Sequence, residues 1–214
     1  MVNQFYDVGS FKRPRTKISK FTETRSNHQV THADLFPTRI SAFYNSNTVI
    51  GTEISSIPQD DPDILSHIST GAKAEIITGS HSGMNGLQLF RKYEDELQTF
   101  IDWIYSCLDY THPGLEIHQS WINISTGDAF QIAHTHAHST VSGIYYHETD
   151  VNNHGGIVFN NPNPFSKMDM WGTESARHFP ATPNTLILFP SWLEYKTVKS
   201  RINTPRISIA FNAR

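Results

Sequence analysis

Cysteine is almost missing from this chain: Cys107 is the only one among 214 residues. One thiol excludes an internal disulfide and a thiolate zinc cage, and it suits a reducing compartment. Long apolar runs are also missing. No stretch approaches the roughly 20 residues that a spanning helix needs, and the amino terminus lacks the apolar core of a secretory signal. The expectation is therefore a cytoplasmic protein without a membrane partner, in which the triplet Asn123-Ile124-Ser125 has no meaning as a glycosylation site. Charge of one sign is scarce as well. Lys and Arg number 17 against 20 Asp and Glu, a net charge of −3, so the whole-molecule field does not indicate nucleic acid. With 37% hydrophobic and 17% charged residues, the chain reads as ordinary globular material. Its length suits one well-buried domain better than two enzyme domains.

Residues 1–30 read as a polar, weakly ordered arm carrying Lys12, Arg13, Arg15, Lys17, Lys20 and Arg25. Residues 31–214 read as a single domain. Ala33 to Tyr44 is strand-like, a short helix is expected from Pro62, and Thr78 to Gly86 is loop on composition. The clearest helix runs from about Phe90 to Leu108. Tyr93, Leu97, Phe100, Ile101, Ile104 and Leu108 recur there at spacings of three and four and make one apolar stripe. After Pro113-Gly114 the period becomes strand-like, with short runs at 116–124, 129–136, 140–147, 155–159, 184–189, 194–199 and 205–212. Many short strands with few helices between them predict an α+β, mainly β domain: an antiparallel sandwich or barrel covered by helices from the first half. Residues 160–183, with Lys167, Asp169, Trp171 and Arg177, read as a lid or binding loop.

Histidine, by contrast, is plentiful, at 12 residues, many of them in the second half. His134, His136 and His138 alternate, and side chains two apart on a strand point the same way, so such imidazoles can converge on one ion. A polar sheet face that happens to be rich in histidine is the plainer explanation. Downstream, Ile207, Ile209 and Phe211 share one face of a strand while Arg206 and Ser208 share the other. An arginine facing a barrel interior is costly unless an anion meets it. Its planar guanidinium can grip a carboxylate through two parallel hydrogen bonds, which Ser208 can supplement; a structural Arg–Asp pair would account for it equally.

The ordered series Asn123…His134-x-His136…Ser142-Gly143-Ile144-Tyr145-Tyr146…Gly155-Gly156-Ile157-Val158-Phe159…Phe189-Pro190-Ser191-Trp192-Leu193…Arg206-x-Ser208 resembles the 2-oxoglutarate- and iron(II)-dependent oxygenases. Within them it is most similar to a group of small oxygenases of unknown substrate. The resemblance implies a double-stranded β-helix (jelly roll) core, Fe(II) and the cosubstrate 2-oxoglutarate. It implies that His134 and His136 are metal ligands, and that Arg206 holds the cosubstrate's distal carboxylate with Ser208 assisting. Asn123 and Tyr145 become further cosubstrate neighbours. The substrate implied is a protein side chain, a nucleobase or a small metabolite. One position departs from the family pattern: its second metal-binding histidine is here Tyr195, eleven residues before Arg206 as in the family. Three ligand choices follow: Tyr195 as phenolate, Glu194 as carboxylate, or His138 as a third imidazole. A regular strand separates His134 from His138 by about 13 Å, which disfavours the last.

Overall fold

Side-chain alternation along a few strands determines which residues can meet inside this protein. The computed structural model describes residues 19–21, 28–35, 38–58, 61, 68–70, 89–127, 129–163 and 175–214. Four antiparallel neighbours form the centre of the large sheet: β5 (Ile117–Thr126), β11 (Arg206–Ala213), β6 (Val141–Glu148) and β9 (Thr185–Pro190). It is extended on one side by β3 (Thr38–Asn45), β2 (His28–Leu35) and β1 (Ser19–Phe21), and on the other by β4 (Ile68–Thr70), for eight strands in all. A second sheet has three strands in the order β10 (Tyr195–Thr197), β7 (Ile157–Asn160) and β8 (Ala176–Phe179). The chain passes repeatedly between the two sheets, so this is a jelly roll. An isolated antiparallel bridge, His134 to Tyr195, stands where a fourth strand of the small sheet would lie.

The period of two divides the apolar residues into two cores. Ile122, Ile124, Tyr145, Leu186, Leu188, Ile209 and Phe211 face away from the small sheet and pack under the helices. Trp121, Ile144, Tyr146, Ile187, Phe189 and Ala210 face inward, where Ile157, Phe159, Leu193 and Tyr195 of the small sheet meet them. The helices are α1 (Thr48–Ser55), a single turn α2 (Leu89–Lys92) and α3 (Gln98–Thr111). Phe100, Trp103, Ile104 and Leu108 on α3 and Ile50 and Ile54 on α1 supply the covering face.

Several expectations need revision. The helix expected over 90–108 is interrupted between α2 and α3, and α3 runs on to Thr111. The interruption has a partner: the Glu53 carboxylate accepts from the Thr99 and Phe100 amides at 3.1 and 2.9 Å, satisfying donors that a helix amino end leaves open. Helix α1 was not anticipated, because Thr48-Val49-Ile50-Gly51-Thr52 reads as strand on propensity. The Asn47 cap on the Val49 amide and the burial of Ile50 and Ile54 override that preference. Strand β8 falls within the stretch expected to be a loop, and β1 and part of β2 fall within the expected arm. The expected helix at Pro62, the 78–86 loop, and Lys167, Asp169 and Trp171 lie outside the described residues.

Candidate functional site

The segment before β6 was expected to be a strand over 129–136, but it carries only the single bridge. That bridge is sufficient to place two histidines. His134 and Tyr195 exchange backbone hydrogen bonds at 2.9 and 3.0 Å, and the His136 amide donates to the Ser191 carbonyl at 2.9 Å. Both imidazoles thereby turn toward the phenol of Tyr195. The Tyr195 hydroxyl lies 3.1 Å from His134 Nε2 and 2.8 Å from His136 Nε2. Three sequence-predicted ligand residues are thus brought together at one point between the sheets. The other two ligand choices are not brought there. Glu194 is exposed and accepts from Asn160, and His138 is exposed in a turn with φ of +63°.

Aromatic rings wall this point. Phe189 stands edge-on to Tyr195 with centroids 5.0 Å apart, and Trp121 lies 5.8 Å from the His136 ring. Burial sets the protonation preferences. His136 is held down to about 4, first by desolvation and second by the neighbouring His134, so it is a neutral imidazole at ordinary pH. Tyr195, 3% exposed, is pushed well above the usual phenol range by burial and then by the nearby Tyr146, so it keeps its proton.

One prediction follows for stability. An unfolded His136 takes up a proton near pH 6.5, while the folded one resists until about 4. Across that window the unfolded state binds more protons, so stability falls as pH drops, by an amount on the order of 3 kcal/mol from this residue. Urea titrations at pH 7, 5.5 and 4 should show His136→Gln losing less stability than the parent over this range. Equal losses would remove His136 as the cause.

At the other end of the inner face, Arg206 is 4% exposed. Its Nη1 donates to the carbonyls of Gly155 and Val198, and its Nε has no hydrogen-bond partner. No carboxylate pairs with it among the described residues, so the competing Arg–Asp explanation finds no support there. Burial draws its acidity toward that of a weaker base, opposed only by the nearby Tyr146. The Gly155 carbonyl reaches it because a glycine stands there: a Cβ at 155 would lie 1.8 Å from the Val198 oxygen. Ser208, buried, follows on the same face, and Asn123 is its register partner on β5. Tyr145 is not brought to this group. It points into the helix-side core against Phe100 and Trp103, and its hydroxyl donates to Asn184 at 3.1 Å. The next residue, Tyr146, takes the inner place.

Residues 119–212 match the model of a protein family described as "Putative 2OG-Fe(II) oxygenase". That matched segment, somewhat less than half of the chain, is similar to this family. Among solved structures, the chain is similar to an oxidoreductase of the 2OG-Fe(II) oxygenase family from Burkholderia pseudomallei, at 14% identity over 55% of this chain and 57% of that one, with a TM-score of 0.44. It is similar to a Pseudomonas putida prolyl-4-hydroxylase at 14% identity over 57% and 65%, TM-score 0.42. It is also similar to the non-heme alpha-ketoglutarate-dependent epimerase SnoN of nogalamycin biosynthesis, at 10% identity over 56% of each chain, TM-score 0.45. The chain therefore aligns with little more than half the length of most of these proteins. No curated protein sequence matches it. No helix among the described residues is long and apolar enough to cross a membrane.

The matched segment also carries site residues that the motif reading missed. Asn212 Nδ2 lies 3.2 Å from His136 Nδ1 and 2.7 Å from Gln119 Oε1, and Ser142 Oγ donates to Asn212 Oδ1 at 2.7 Å. Ser191 Oγ adjoins Ser142 Oγ at 2.8 Å. The signal for two of them was available: Asn212 is four residues after Ser208, and Gln119 four before Asn123, so each shares an inner face by alternation.

Proposed function

We propose that this chain is an iron(II)- and 2-oxoglutarate-dependent oxygenase that hydroxylates an unactivated C–H bond as 2-oxoglutarate is decarboxylated to succinate. The observation that carries this reading is Arg206: a guanidinium buried on the inner face of an oxygenase-family jelly roll, with a free Nε–H and no carboxylate partner among the described residues. Burying such a cation is costly, and a dicarboxylate is the ligand chemistry that would offset it through paired hydrogen bonds. Ser208 and Asn123 would add polar contacts beside it.

The donors at the other end fit a divalent ion in kind. His134 and His136 aim their Nε2 atoms at one place, and their separations from Tyr195 Oη are close to the roughly 3 Å expected between adjacent ligands bonded at about 2.1 Å. These two imidazoles would hold iron(II), with Tyr195 joining only if it yields its proton. When bound, iron(II) would supply the dioxygen chemistry that no side chain can perform. The aromatic rings of Trp121, Phe159 and Phe189 give this end an apolar wall, while His134 and His136 stay partly exposed.

Tyr195 also supports a second reading, a jelly-roll binding module that keeps the anion site but has given up iron. The phenol is protonated, buried, and already hydrogen-bonded to both histidines. Incubation of the purified chain with iron(II), 2-oxoglutarate and air separates the two. Succinate formation dependent on iron supports the oxygenase. Binding of 2-oxoglutarate without succinate, and without the weak visible band of its iron chelate, supports the module.

A further inference from the structure

With the Asn212 and Gln119 amides oriented as they stand, hydrogen bookkeeping around the two histidines gives one directional arrangement. The Asn212 amide nitrogen faces His136 Nδ1 and can only donate, so that nitrogen carries a lone pair and the ring hydrogen sits on Nε2. His136 Nε2–H therefore donates to the Tyr195 hydroxyl. At the far end, His134 Nδ1 faces the Ile132 carbonyl at 2.8 Å, which can only accept, so His134 carries its hydrogen on Nδ1. Its Nε2 lone pair receives the Tyr195 O–H. The chain runs Asn212, His136, Tyr195, His134, Ile132 carbonyl, and the two imidazoles hold opposite tautomers. In this arrangement the His136 nitrogen that faces the ligand position has no lone pair to offer.

We propose that Asn212 and Gln119 form a two-position amide switch that sets the tautomer of His136 and thereby decides whether the histidine pair can hold a metal ion. Rotating both amides by half a turn would place Asn212 Oδ1 against His136 Nδ1–H and Gln119 Nε2–H, freeing His136 Nε2 to ligate. Asn212 Nδ2 would then donate to Ser142 Oγ, whose hydrogen passes to Ser191 Oγ. Asn212, Ser142 and Ser191 are all at most 3% exposed, and in both positions each of their side-chain nitrogen and oxygen atoms keeps at least one partner, although the rotated one leaves the second Asn212 N–H and the Ser191 hydroxyl hydrogen without a named acceptor. A metal-bound imidazole almost always donates its other N–H to a fixed acceptor, and only the rotated position provides one. Asn212 and Gln119 are positioning residues, acting through His136. The tautomer assignment stands by itself; the metal half rests on the proposed oxygenase reading.

The test uses the metal-free, 15N-labelled full chain and cobalt(II) as a visible probe ion. Two-bond proton–nitrogen NMR correlations should show His136 protonated on Nε2 and His134 on Nδ1. Asn212→Asp, which can only accept, should move the His136 hydrogen to Nδ1 and tighten cobalt(II) binding about 10- to 100-fold. Gln119→Glu, which also only accepts, should hold the Asn212 nitrogen in place, keep the parent tautomer and weaken cobalt(II) binding. A parent His136 already protonated on Nδ1, or affinity shifts of the same sign in both variants, overturns the switch. If the tautomers respond as described but none of the three proteins binds cobalt(II), the oxygenase reading falls together with the metal half of the switch.

Discussion

Replacing Arg206 by methionine should abolish 2-oxoglutarate binding while the jelly roll stays folded. The guanidinium is buried, and its known partners are two carbonyl oxygens rather than a counter-ion. A bidentate, charge-assisted grip on a carboxylate in such a place is worth about 3–5 kcal/mol, so affinity should fall more than 100-fold. The fold loses less than the ligand does. Methionine keeps most of the apolar stem packed near Tyr146 and removes a desolvated charge, which offsets the carbonyl hydrogen bonds given up. Calorimetric titration of 2-oxoglutarate, paired with thermal melts, measures both sides. Parent-like affinity in the variant would take Arg206 out of the proposal. Loss of folding along with binding would assign it a structural role instead.

Tyr195→His should strengthen iron(II) binding by 10-fold or more. In the parent, the phenol proton is harder to remove than that of an exposed tyrosine, because burial disfavours the phenolate. A metal that recruits this oxygen must first displace that proton, whereas a neutral imidazole offers a lone pair at no such cost. The shorter side chain also withdraws the hydroxyl from its contacts with His134 and His136. Stability should fall by about 1–2 kcal/mol, since Phe159 and Phe189 lose part of a packed ring. Anaerobic titration with iron(II) reads the gain. Unchanged affinity would mean either that Tyr195 already ligates or that the metal is held elsewhere.

Arg206, Ser208, Ile207, Ile209 and Phe211 were legible as two faces of one strand, because on a strand side chains alternate whatever the surroundings. The same rule applied to β6 would have separated Tyr145 from Tyr146; motif order alone put the wrong one in the pocket. His134 and His136 were legible as a pair, but for a reason that proved local. They converge through one bridge to Tyr195 and one amide on Ser191, not through a regular strand. Helix α3 was visible in its apolar stripe. Its starting point was not, since the groups that fix it belong to Glu53, far away in sequence.

By itself, then, the sequence determined the mainly β class, the helix that covers it, the inward face of Arg206 and the substitution of tyrosine at position 195. These are matters of period and residue type, and both are carried by short stretches of chain. Only the tertiary structure decided that Arg206 has carbonyls and no described carboxylate beside it, and that Tyr195 closes on both histidines. It alone showed Asn212 and Gln119 standing behind His136. Apart from the Val198 carbonyl, which is eight positions from Arg206, those relations join residues 51 to 93 positions apart, and hydrogen-bond direction among them depends on distances that no local pattern encodes.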